Sequence, residues 1–173
     1  MRKNQGFSLI ELLIVVAIIL IIAAIAIPNV LRAKISANES SAVQSIRTVN
    51  TTQVTYQATY PTVGYASTLG ALGPAAASGC TTPNSANSCL LDWSLAQATS
   101  PATPKSGYYF GLGVVSSSGM NLGYTVGGAP AGFNSTGVRG FCSNEDAVIR
   151  FTPALSGTPA TNTASCAAYA ALQ

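Results

Sequence analysis

Residues Lys3–Pro28 read KNQGFSLIELLIVVAIILIIAAIAIP. Every residue from Leu12 to Ile27 is apolar, and Glu11 is the only charge between Lys3 and Arg32. The 21 residues Phe7–Ile27 would reach about 31 Å as a helix, close to the thickness of one hydrocarbon core. Leu12–Ile27 holds twelve Leu, Ile or Val and four Ala. At roughly −0.3 to −0.6 kcal/mol per large apolar residue, its insertion into a bilayer gains about 4–7 kcal/mol. An acidic side chain costs roughly 2.5–3.5 kcal/mol at the centre of a spanning helix and less near its end, where Glu11 sits. The run therefore favours membrane residence. Arg2 and Lys3 precede it, so the positive-inside bias keeps the amino end cytoplasmic and sends the rest across.

A secretory signal peptide would pair a basic start with a shorter apolar region and a small-residue cleavage site, for which Ala24-Ile25-Ala26 could pose. The acid within the run and the length of the run count against that. A plain signal anchor explains everything except Glu11 and the Gly6-Phe7 junction. A third reading rests on resemblance. GFSLIELLIVVAIILIIAAIAIPN resembles the amino terminus of type IV pilins and type II secretion pseudopilins. The matching features are a short basic leader ending in Gly6, then Phe7, Glu11, a long apolar run and Pro28.

That resemblance implies cleavage between Gly6 and Phe7 by a prepilin peptidase, followed by N-methylation of Phe7. Gly6 suits this because a residue without a side chain lets a protease approach the backbone closely. It also implies that Glu11 meets the Phe7 amine of a neighbouring subunit as helices enter a filament, an opposite charge offsetting the cost of an acid in hydrocarbon. Ser8-x-x-Glu11 also matches a capping box, and the two roles are compatible. Pro28 lacks an N–H and its ring crowds the Ala24 carbonyl, so a kink or a local opening is expected there. In related filaments the segment before this proline loses helical structure on assembly.

The leader 1–6 carries Arg2 and Lys3. Removing it leaves 8 − 2 = 6 basic and 5 acidic side chains, a net charge of +1. Such a balance offers no footprint for nucleic acid. The 173-residue chain contains no His, which excludes Ser-His-Asp and Cys-His catalysis, so no enzyme is expected. Neither a cofactor nor a metal is expected. A zinc site lacks its CxxC pattern, and the adjacent acids Glu145 and Asp146 are too few to hold calcium.

Beyond the apolar run, Ile35, Ala42, Ile46, Val49, Tyr56 and Tyr60 fall at helical spacing. A long helix over 7–60 is predicted, its first half serving as membrane span and filament core. Glu39 and Arg47 are read as solvated or subunit-facing. Pro61 ends the helix because it pushes Tyr60 out of the α region. Residues 61–173 then form a head. Short helical pieces are expected near Ala66–Leu72 and Leu90–Ala98, with Leu90 and Trp93 in the core. Four strands are predicted at Gly107–Val115, Leu122–Val126, Val138–Ser143 and Ala147–Phe151. The fold class is α+β, a long helix packed against a small antiparallel sheet of about four strands, which also fits the pilin fold by resemblance.

Export makes disulfides plausible, and four cysteines allow three pairings. Cys80–Cys89 and Cys142–Cys166 are preferred because each closes a local loop. The second resembles the disulfide-bounded C-terminal loop of many pilins, although Cys142 falls in a predicted strand. The expectation is a single-pass inner-membrane precursor that becomes a subunit of an extracellular type IV pilus-like filament. Its partners would be copies of itself, the membrane, prepilin peptidase and the assembly machinery. The alternative is a major pseudopilin of a type II secretion system, forming a periplasmic pseudopilus. The amino terminus does not separate the two.

Overall fold

The computed structural model describes residues 7–172. Helix α1 runs Leu9–Thr59 and contains Pro28 within it. Its start is capped by Glu11, whose carboxylate accepts the Ser8 N–H at 3.0 Å. This is one half of a capping box. Its end precedes Pro61, as the steric restriction on Tyr60 requires.

The described residues fall into two compact units, 7–34 and 35–172. In the first, the large apolar side chains from Phe7 to Leu31 are exposed. In the second, α1 presents a stripe at positions 39, 42, 46, 49, 53 and 56, spaced alternately three and four apart, and every residue on it is buried.

Two single-turn helices follow in the connection to the sheet. Helix α2 (Leu69–Leu72) is capped by Thr68 and α3 (Trp93–Ala96) by Asp92. The α3 turn aims Leu95 and Ala96 inward, and Leu91 before it is buried as well. Leu90 is 38% exposed and Trp93 only half-buried. The expectation that these two fill the core is corrected: the Asp92 cap sets the phase of a four-residue helix, and Leu91 and Leu95 take the inner positions.

The sheet is an antiparallel meander of five strands in sequence order, one more than expected. Strand β1 (Tyr108–Ser117) and β2 (Met120–Pro130) are joined through Ser118-Gly119. Both linker residues have positive φ, 51° and 81°, the backbone of a two-residue hairpin turn whose twist matches its strands. Then come β3 (Gly140–Asn144), β4 (Arg150–Thr152), helix α4 (Thr163–Ala167) and β5 (Ala170–Ala171), which pairs with β4. Strand β5 was not expected because two alanines carry weak strand propensity.

The sheet's register divides its side chains cleanly. Phe110, Leu112, Tyr124, Val126 and Phe141 share one face and join Ile46 and Val49 of α1 in the main core. The opposite face carries Gly111, Gly113 and Gly127. A Cβ on Gly113 would lie 1.9 Å from the Thr161 carbonyl oxygen, and one on Gly127 2.2 Å from that of Ala160. The tail before α4 therefore rests directly on the sheet backbone, and only glycine permits that approach.

Candidate functional site

Gly6 and the leader 1–6 lie outside the described residues. Phe7 is exposed, and Glu11 is exposed with its carboxylate turned to the helix start. Pro28 lies in the helix interior. Among the described residues one helix is long and apolar enough to cross a membrane, and none of its most apolar window is buried within the chain. Ala26, Ile27, Val30, Leu31 and Lys34 line a hollow of about 360 Å³.

In the second unit, α1 is fastened by polar side chains on its buried stripe and beside it. Glu39 is 6% exposed. Its Oε1 accepts the backbone N–H of Val138 at 3.1 Å and of Arg139 at 3.0 Å, and its Oε2 accepts Arg139 Nε–H at 2.8 Å. The expectation of a solvated Glu39 is therefore corrected. Burial by itself raises its pKa, but the hydrogen bonds from Arg139 and Val138 outweigh that and hold it below the ordinary glutamate value. Next to it in the chain, Asn38 donates to the Thr136 carbonyl at 2.8 Å. Gln53, fully buried, donates to the Ala66 carbonyl at 3.0 Å and accepts its N–H at 2.8 Å. Asn50 bridges Ser143 and the Tyr124 hydroxyl.

Sequence reasoning missed the role of Glu39, yet its position carried the signal. It stands three residues before Ala42, in phase with Ala42, Ile46 and Val49. A charge in phase with an apolar stripe is buried with it, and a buried carboxylate needs partners. Arg47 is exposed, as expected. Asp146 pairs with Arg150 and accepts the Val148 N–H at 2.9 Å.

The structure links Cys80 to Cys89 and Cys142 to Cys166. The second bond joins β3 to α4, and its sulfurs are buried with Ala160 against Tyr169. The Cys80–Cys89 loop is tied back to α2 through the Ser88 N–H to Ala71 carbonyl bond at 2.8 Å.

A family model described as the prokaryotic N-terminal methylation motif matches residues 1–27. The chain is 46% identical over 54 residues to the type IV major pilin protein PilA of Myxococcus xanthus, covering 31% of this chain and 24% of that protein. It is 60% identical over 40 residues to the type IV wide pilus major component PilA4 of Thermus thermophilus, covering 23% of this chain and 30% of the relative. The chain thus spans less than a third of the length of these curated relatives. No solved structure matches it significantly. Over its amino-terminal motif and a part of its length, the chain is thus similar to components of type IV pili.

Proposed function

We propose that this chain is a structural subunit of a type IV pilus-like extracellular filament, inserted first in the inner membrane and then assembled through its apolar helix. The observation that carries this reading is the bare stretch from Phe7 to Leu31, whose large apolar residues have no cover in the chain. An apolar surface of this extent needs lipid or protein around it. Lipid supplies the first environment, and the same stretch of sister subunits supplies the second. Glu11 sits at the start of this stretch, so its charge needs a partner once water is excluded.

In this reading a prepilin peptidase cuts between Gly6 and Phe7, and methylated Phe7 then lies within reach of a neighbour's Glu11. Pro28 removes one helical hydrogen bond where the chain leaves the hydrocarbon. The two named relatives are pilus components, so the secretion-pseudopilus alternative gains no support from them.

The test is electron microscopy of cells with the gene deleted and then restored. Fibres that vanish on deletion and return on complementation, decorated by antibody to this chain, are the expected result. Fibres unchanged by deletion, with the chain confined to the membrane fraction, would overturn the proposal.

A further inference from the structure

Residues 35–173 carry eight charged side chains: Glu39, Arg47, Asp92, Lys105, Arg139, Glu145, Asp146 and Arg150. Six of them form three ion pairs, Lys105–Asp92, Arg139–Glu39 and Arg150–Asp146. Arg47 and Glu145 are left, one of each sign, both exposed and neither with an ionic partner among the described residues. Among the described residues of this unit, one unpaired cation and one unpaired anion therefore remain, and such a surface is complementary to a second copy of itself.

The two sites differ in shape as well as in sign. Arg47 lines a hollow of about 270 Å³ together with Ser40, Val43, Phe141 and Leu172. Glu39 and Arg139 also border it, but they neutralise one another at 2.8 Å. Arg47 thus gives an otherwise neutral, partly apolar hollow its positive charge. Glu145 begins a turn, Glu145–Val148, whose four residues are all exposed. The turn offers the carboxylate of Glu145 beside the apolar Ala147 and Val148, while Asp146 is held back by Arg150. A carboxylate next to small apolar side chains suits a hollow that combines a guanidinium with Val43 and Phe141. Ser40, Val43, Arg47, Thr51 and Val54, spaced three and four apart, form one strip of α1. Val54 on that strip is 60% exposed.

We infer that the Glu145–Val148 turn of one subunit docks in the Arg47 hollow of a second copy of this chain, pairing Glu145 with Arg47 between heads. Each copy carries both the turn and the hollow, the turn bordering Thr51 and Val54 on the same strip of α1 as Arg47. The pairing rests on the filament reading above and adds the residues by which heads choose their neighbours.

The test uses full-length subunits expressed in cells lacking the native copy, with sheared fibre and membrane-held subunit measured separately. Arg47→Glu and Glu145→Arg, each alone, place like charges together and lower fibre yield about tenfold, with the membrane pool unchanged. The double variant, with both charges exchanged, restores yield. Co-expression of the two single variants also restores it and gives fibres containing both subunit masses, which a contact within one subunit would not produce. Wild-type yield from either single variant overturns the pairing while leaving the filament reading intact. So does a loss that neither exchange nor co-expression repairs. Absence of fibres from the wild-type chain itself would overturn the filament reading, and this inference with it.

Discussion

Replacing Glu39 by Ala removes the acceptor for three hydrogen bonds at 2.8–3.1 Å. The N–H groups of Val138 and Arg139 are left facing a void in a site that is only 6% exposed at Glu39. An unsatisfied buried donor costs roughly 1–3 kcal/mol. The Arg139 side chain is 39% exposed, so water compensates part of its loss. A net destabilisation of about 3 kcal/mol results, near the lower end for breaking a buried ion pair. For a unit of this size that corresponds to a fall in Tm of about 10 °C. Near-ultraviolet circular dichroism of the full chain in detergent reads this directly, because all seven tyrosines lie between Tyr56 and Tyr169. Glu39→Gln keeps an acceptor and loses less, about 1–2 kcal/mol. The pH dependence separates the two contributions. The carboxylate has a lower pKa folded than unfolded, so the unfolded state takes up a proton first as pH falls. Its stabilising contribution is complete above the unfolded value of about 4.3 and disappears as pH drops through the lower folded value. Glu39→Gln lacks this component. A Glu39→Ala chain that melts within a degree or two of wild type, with the same acid response, would refute the clasp.

Three further outcomes are expected. Replacing Cys142 and Cys166 together by Ser opens a loop with a sequence separation of 24 and costs about 3 kcal/mol, read as a lower Tm and earlier proteolysis after Ser156. Gly113→Ala forces a methyl group to within 1.9 Å of the Thr161 carbonyl oxygen; the tail must lift, and hydrogen exchange at residues 158–162 rises while the main core stays protected. Glu11→Val leaves membrane insertion intact, since it only adds apolar surface, but lowers fibre yield in a shearing assay; undiminished fibres would remove Glu11 from assembly.

Much of the architecture was written in periodicity. The unbroken apolar run, the three-and-four spacing after it and the aromatic strand at Tyr108 mark the long helix and the first hairpin directly. What escaped was set by contacts distant in sequence. Glu39 is buried because β3's approach, some 100 residues later, brings two N–H groups to it, and charge alone pointed the other way. The role of Gly111, Gly113 and Gly127 shows only when the tail is seen lying across them. β5 escaped because two alanines pair on an edge through backbone alone. In the amino-terminal unit Phe7, Glu11 and Pro28 were legible as a motif, and in the proposed filament their partners belong to other copies. The motif therefore identifies the residues, while their contacts depend on assembly.

In the proposed assembly the apolar helix exchanges lipid for sister helices after its leader is removed. Mass spectrometry of the first peptide of sheared surface material tests it most directly. The expected result is a polymer whose chains begin at Phe7 with a methylated amine. A soluble or membrane-held monomer still beginning at Met1, with no polymeric form on the same cells, would contradict it.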